Sequence, residues 1–167
     1  MRRFWSRIET PFQPMAAWTD EAGRLLRFHL RAEGAAAVDP HAVHDPARLG
    51  TVQRQVTDYC EGRRRDFDLA LAPEGPEFEL SVWRALCAIP FGTTTSYGAV
   101  ARAIGRPGAA RAVGAANNAN PIALIIPCHR VIGADGQLVG YGGGLALKRK
   151  LLEHEARVCG TRYDLFG

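Results

Sequence analysis

The stretch "APEGPE", residues 72–77, constrains the fold most, because it separates two segments with different hydrophobic periods. Two prolines and a glycine within six residues interrupt helix and strand alike. Before it, "MAAWTD" and "RLLRFHL" read as strands joined by a hairpin at Glu21-Ala22-Gly23. Val52, Val56, Tyr59 and Cys60 recur at helical spacing, and Gly62 stands where a helix C-cap would fall. A helix is expected over 51–61, with Cys60 in the core. "DFDLAL" alternates Phe67, Leu69 and Leu71 like a half-buried strand. Beyond the break the period is helical. Phe78, Val82, Leu86 and Ile89 form a stripe that Leu80, Trp83 and Cys87 widen, which predicts a largely buried helix and a core Cys87. The expectation is an α+β protein with domains at 1–73 and 74–167.

Two short helices are expected next, from Tyr97 to Ile104 and from Ala109 to Asn117, on either side of "GRPG". Two helices across a tight glycine-bearing turn make a helix-turn-helix candidate. In "AARAVGAA", residues 109–116, only Arg111 and Val113 exceed a methyl group. So bare a helix suits close packing against a neighbouring helix, or a surface pressed into a nucleic-acid groove with Arg111 as its long probe. "IALII" is expected as a buried strand or extended segment, and Pro127 ends its pairing by removing a donor. Asp135-Gly136 suggests a type I′ hairpin turn. "GYGGG" leads into a last helix over "LALKRKLLEHEAR", and residues 157–167 are expected to lie on the fold as a tail.

At 167 residues, 47% hydrophobic and 23% charged, the chain has the balance of a soluble globular protein of one or two domains. No run approaches the roughly 20 apolar residues that cross a bilayer. The N-terminus has basic residues without an apolar stretch after them, so an intracellular protein is expected. Cys60, Cys87, Cys128 and Cys159 include no CxxC pair, which argues against a disulfide framework or a zinc site. His41 and His44 lack further ligands at suitable spacing and read as a solvated loop. Charge is uneven. Residues 1–84 carry 12 Arg against 13 Asp/Glu, a net −1, whereas residues 85–167 carry 9 Arg/Lys against 4 Asp/Glu, a net +5. The excess suits an anionic partner, nucleic acid first, but drift in an arginine-rich proteome would give the same balance.

In "IIPCHRVIG", residues 125–133, a cysteine and a histidine follow a proline. An unassisted thiol has a pKa of about 8.5 and must lose its proton to attack carbon. A nearby imidazole accepts such a proton. Adjacent side chains in a strand point to opposite faces, so Cys128 and His129 would need a turn after Pro127 or a bridging water. The Asn120 amide is placed to tie such a turn. In the last helix Leu147, Leu151 and Glu155 fall at i, i+4 and i+8. A carboxylate in line with buried leucines calls for a partner such as His129. Otherwise the stripe stops at Leu152 and Glu155 is solvated.

"IPCHRVIG", preceded by "NANP" and followed by "GYGGG" and "KRKLLEHE", resembles the active-site signature of the O6-alkylguanine-DNA alkyltransferases. With "SYG" and "AARAVG" upstream, the likeness runs without a gap over roughly residues 76–156 and is highly specific. The resemblance implies a ribonuclease H-like N-terminal α/β domain and a helical, winged-helix-like C-terminal domain carrying the helix-turn-helix. It implies a double-stranded DNA partner bearing alkylated guanine, bound through the minor groove. Ala109, Ala110, Ala112 and Gly114 are then small in order to enter the groove, and Arg111 takes the place of the extruded nucleotide. An alkylated oxygen inside a paired duplex is beyond a protein thiol, so the base must flip, which costs a few kcal/mol.

By the same resemblance Cys128 attacks as thiolate, His129 takes its proton through a water, and Glu155 orients the imidazole. Tyr97 protonates the departing base and Tyr141 lies along it, while the backbone at Cys128, Val131 and Gly142 reads its polar edges. Gly142 departs from members with serine there, leaving the backbone N–H to serve the oxygen in a wider pocket. No metal and no cofactor are expected, and the cytoplasm is the expected location. O4-alkylthymine is an expected second substrate. The N-terminal domain, without a chemical motif, is left with scaffolding or contact with a neighbouring copy on DNA. The alternative is a non-catalytic lesion sensor of the alkyltransferase-like class, whose members carry another residue where Cys128 stands.

Overall fold

β1 (Arg3–Ile8), β2 (Met15–Asp20) and β3 (Leu25–His29) form an antiparallel meander, and β4 (Val43–His44) adds in parallel beside β1, giving the order β3-β2-β1-β4. This computed structural model describes residues 1–163. β1 was not expected. Its buried Phe4, Ser6 and Ile8 do alternate, but a polar residue in the middle and arginines at Arg3 and Arg7 mask the pattern. All six residues of β2 are buried, as suits a central strand covered on both faces. A short helix, α1 (Ala35–Val38), precedes β4. A 3-10 turn at Pro46–Leu49 then runs into α2 (Gly50–Cys60), which buries Val52, Val56 and Tyr59. Cys60 is half-buried rather than core, because it lies about 100° around the helix from Tyr59, at the margin of the stripe.

The expected strand at Phe67–Leu71 shrinks to one parallel bridge between Leu25 and Leu71. Leu25 N–H donates to the Ala70 carbonyl at 2.8 Å, and Ala72 N–H to that of Leu25 at 2.9 Å. The alternation survives: Phe67, Leu69 and Leu71 are half-buried, while Asp68 and Ala70 are exposed.

The chain folds as two units, residues 1–74 with 121–125 and residues 75–120 with 126 onwards. A second domain running unbroken over 74–167 is therefore corrected. Phe28 N–H donates to the Pro121 carbonyl at 2.9 Å and Ala123 N–H to that of Phe28 at 3.1 Å, so 121–125 joins the edge of β3. "IALII" is not a strand either. Only Ile122 bridges, to Phe28, and 123–125 form a turn with Leu124 at φ 71°.

In the second unit α3 (Glu77–Leu86) buries Val82, Trp83 and Leu86. The Trp83 indole N–H donates to the Ala116 carbonyl at 2.9 Å, fixing α3 to α5. Cys87 is exposed, contrary to expectation: α3 ends at Leu86, and Cys87 lies about 100° further round, outside the stripe. Two-residue strands β5 (Thr95–Ser96) and β6 (Val131–Ile132) pair in parallel. α4 (Tyr97–Ala103) begins at Ser96, whose hydroxyl accepts from Ala99 N–H at 3.1 Å. A tight turn separates it from α5 (Ala110–Asn118). Asp135-Gly136 does not form a type I′ turn, since Asp135 is not left-handed; Gly136, at φ 85°, takes that conformation alone. The turn closes one residue later, with Gly133 N–H donating to the Gln137 carbonyl at 2.8 Å. α6 (Leu145–Val158) runs past the expected helix end at Arg157. Of the expected tail, residues 164–167 lie outside the described residues. The four-stranded sheet is built from the first 44 residues, and among the described residues every α-helix but α1 follows it, an α+β fold.

Candidate active site

After Pro127 the chain makes one 3-10 turn, Cys128–Arg130, before entering β6. Successive side chains in such a turn diverge by about 120° rather than 180°, so the thiol and imidazole are not forced to opposite faces. Two amides pin the turn. Asn120 Nδ2 donates to the Ile126 carbonyl at 2.9 Å, the tie expected of it. Asn117 Nδ2 lies 3.4 Å from the Cys128 carbonyl. Asn117 was not anticipated, although it stands four residues after Val113 on the buried stripe of α5, where a polar residue marks a specific bond. Cys128 is buried but retains 5% of its surface.

Glu155, fully buried on α6, meets the turn. Its Oε2 lies 2.7 Å from His129 Nε2 and 3.1 Å from Arg130 Nη2. Its Oε1 accepts from Arg130 Nε at 2.9 Å and from Gly92 N–H at 3.1 Å. Arg130 also donates through Nη1 to the Ile89 carbonyl at 2.8 Å, and its guanidinium lies 5.6 Å from the Phe91 ring centre. Arg130 was missed as part of the site. No spacing sets it apart from a surface arginine.

Electrostatics assign the protons. Burial alone would raise the Glu155 carboxyl, but His129 and Arg130 outweigh it and hold it well below the usual carboxylate range. Burial lowers the His129 imidazole, against the pull of Glu155. At neutral pH the pair is therefore an ionised carboxylate and a neutral ring. Glu155 engages Nε2–H, which leaves the lone pair on Nδ1, buried and without a partner among the described residues. That nitrogen is free to take a proton.

Three further groups feel the Cys128 thiol. Burial, then Cys128, raises the Tyr97 and Tyr141 phenols. Tyr97 OH donates to the Val139 carbonyl at 3.2 Å, while the buried Tyr141 hydroxyl has no partner among the described residues. Lys148 is wholly buried, donating to the same Val139 carbonyl at 2.8 Å, and burial lowers its pKa to about 8. It was missed because the basic run "KRK" reads as solvated. Val131 is buried in β6, and Gly142 is exposed with nothing within 4 Å of where a Cβ would sit. On α5 Arg111 and Ala112 are exposed, whereas Ala109, Ala110 and Gly114 are half-buried. Among the described residues no group of three His, Cys, Asp or Glu could hold a metal ion, and no helix is long and apolar enough to cross a membrane.

These shifts predict acid sensitivity in two stages. His129 and His29 sit below the ordinary 6.5 when folded, so below that pH the unfolded chain binds protons first and stability falls. Glu155 sits below the ordinary 4.5, so its contribution is complete above that value and is lost as its folded carboxyl protonates. The Tm measured from about pH 8 down to pH 3 should decline below about pH 6.5 and then more steeply below about 4.5. A flat profile to pH 4 would contradict the assignment.

Residues 77–157 match the family described as 6-O-methylguanine DNA methyltransferase, DNA binding domain. The chain is 46% identical over 148 residues to the methylated-DNA–protein-cysteine methyltransferase of Methanosarcina mazei, covering 89% of this chain and 94% of that one. It is 53% identical over 115 residues to the protein of that name from Mycobacterium tuberculosis, covering 69% and 70%. Among solved structures, Mycobacterium tuberculosis OGT in complex with DNA superposes with a TM-score of 0.86 at 42% identity, over 98% of each chain. The O6-methylguanine methyltransferase of the same organism gives 0.84 at 41%, over 98% of this chain and 97% of that one. This chain belongs to the methylated-DNA–protein-cysteine methyltransferase family.

Proposed function

We propose that this protein repairs alkylated DNA by direct reversal, moving the alkyl group from O6 of guanine, and from O4 of thymine, onto Sγ of Cys128. The observation that carries the proposal is the 2.7 Å contact between Glu155 and His129 Nε2, which turns the basic Nδ1 into a proton acceptor within the turn that bears the thiol. His129 takes the thiol proton through a water, and the thiolate attacks the alkyl carbon. The C–O bond breaks as the C–S bond forms. The electron pair stays on the base, which Tyr97 protonates. To do so the phenol must exchange its bond to the Val139 carbonyl for one to the base. Tyr141 lies along the flipped ring, and the backbone at Cys128, Val131 and Gly142 reads its edge.

The product is a thioether, and no neighbouring group named above is a second nucleophile able to cleave it. Each molecule acts once. The sensor alternative is disfavoured by Cys128 itself, since that class lacks the cysteine. The second unit binds the duplex through the minor groove, with the exposed Ala112 and half-buried Ala109, Ala110 and Gly114 letting α5 approach closely. Arg111 fills the stack behind the extruded base. The reaction is set in the cytoplasm, and the first unit scaffolds the site or meets a neighbouring copy on DNA.

The test is transfer of a radiolabelled methyl group from O6-methylguanine in duplex DNA to the protein. Label that stays on DNA while the protein binds it would favour the sensor reading. Arg111→Ala is expected to slow transfer from duplex roughly tenfold to hundredfold, because holding an extruded base is worth a few kcal/mol. Its reaction with a free alkylguanine base should be unchanged. Equal losses on both substrates would show that Arg111 serves something other than extrusion.

A further inference from the structure

Glu155 is held from its far side by the segment Ile89–Thr93. The Ile89 carbonyl accepts from Arg130 Nη1 at 2.8 Å, and the Phe91 ring lies beneath the same guanidinium. Thr93 closes the turn, its N–H and hydroxyl both donating to the Pro90 carbonyl, at 3.2 and 2.7 Å. At its third residue Gly92 N–H donates to Glu155 Oε1 at 3.1 Å. This backbone donor and Arg130 Nε both meet Oε1, while Oε2 faces His129. The carboxylate plane, and with it the line from Oε2 to the imidazole, is thus fixed between Arg130 and Gly92.

Two independent features require glycine at position 92. Its φ of 79° lies in the left-handed region that other L residues rarely adopt. A Cβ would also sit 2.5 Å from Cys159 Sγ and 3.8 Å from the Glu155 carbonyl oxygen. Cys159 follows α6 directly, four residues after Glu155. A side chain at 92 would therefore force the Cys159 sulfur, just past the helix that carries the carboxylate, to move, on top of the backbone strain at a left-handed φ.

We infer that Gly92 is a positioning residue for alkyl transfer: its backbone N–H, held by the Pro90–Thr93 turn, sets the orientation of Glu155 toward His129. The inference rests on the proposed chemistry, in which His129 is the base. It predicts that Gly92→Ala slows the transfer step at saturating alkylated DNA at least tenfold, with the affinity for that DNA unchanged. The proton on His129 Nε2, read by NMR, should shift from its wild-type position. Adding Cys159→Ala removes the sulfur that the new methyl would strike, and the double variant should recover part of the rate and part of the shift.

Because Gly92→Ala could fold poorly, the N–H is also removed alone by replacing the 91–92 peptide bond with an ester, which keeps the backbone shape and adds no side chain. That protein should show the same NMR shift and a severalfold slower transfer. Wild-type protein runs in parallel. If it fails to transfer the alkyl group, the proposed function itself is wrong. If it transfers and the ester protein matches it in rate and in the His129 resonance, the positioning role is overturned. A loss in Gly92→Ala that follows only the folded fraction overturns it as well.

Discussion

Arg130→Ala is expected to destabilise the protein by about 3–5 kcal/mol and to abolish alkyl transfer. The guanidinium is nearly as buried as the carboxylate it grips, and it supplies a hydrogen bond to each oxygen of Glu155. Removing it leaves an ionised carboxylate in the interior without the permanent charge of Arg130, held by His129 and the Gly92 N–H. The truncation also empties the space above Phe91 and leaves the Ile89 carbonyl without its donor. For a chain of this size a loss of that order lowers Tm by roughly 10 °C.

The double variant Arg130→Met, Glu155→Leu separates the packing effect from the chemical one. With both charges replaced by apolar groups of similar volume, much of the lost stability should return, because a buried ion pair and a hydrophobic replacement are often close in energy. Transfer should not return, since His129 then has no carboxylate. Urea unfolding followed in parallel with transfer would show this split. A double variant as unstable as Arg130→Ala would mean that the site depends on this ion pair in some way other than charge compensation.

Cys128→Ser should eliminate transfer while DNA binding and stability are kept. The substitution exchanges sulfur for oxygen in a turn where Cys128 is 5% exposed, so the cavity is hardly altered. A serine hydroxyl is far less acidic than a thiol, and a neutral imidazole whose pKa is lowered by burial cannot ionise it to a useful extent. The variant should bind alkylated duplex at wild-type affinity and leave the lesion intact over hours. Residual transfer to the introduced hydroxyl at more than about a thousandth of the wild-type rate would mean that His129 is a stronger base than its surroundings indicate.

The proposed catalytic group was legible in the sequence because its parts leave local marks. Cys128 and His129 are adjacent after a proline, and Glu155 continues an apolar stripe where a solvated carboxylate would not belong. The 3-10 turn and the contact between Glu155 and His129 meet both expectations geometrically. Arg130 and Gly92 were not legible, since each meets a partner distant in sequence, and Lys148 was hidden in a basic run. Arg130 and Glu155 are 25 residues apart and Gly92 and Glu155 are 63 apart, and no local period reports such a bond.

The α+β class was legible, and the single elements that were misread failed for related reasons. Periodicity states which residues share a face but not where an element stops. Ending α3 at Leu86 left Cys87 outside, and Cys60 fell at the margin of α2. "IALII" is apolar enough for a strand, yet its pairing partner is a single residue, Phe28, about 90 positions earlier. The left-handed Leu124 then turns the chain back to the second unit. An apolar run carries no signal of a turn held by burial and by hydrogen bonds to residues outside it.

The central claim is a covalent, one-time capture of an alkyl group by Cys128. It is tested most directly by the intact mass of the protein after incubation with excess duplex containing O6-methylguanine, followed by peptide mapping. The mass should rise by a single methyl group per chain and stop, with the added group on the peptide bearing Cys128. Unchanged mass, continued turnover of lesions by a few molecules, or methylation at Cys60, Cys87 or Cys159 instead would contradict it.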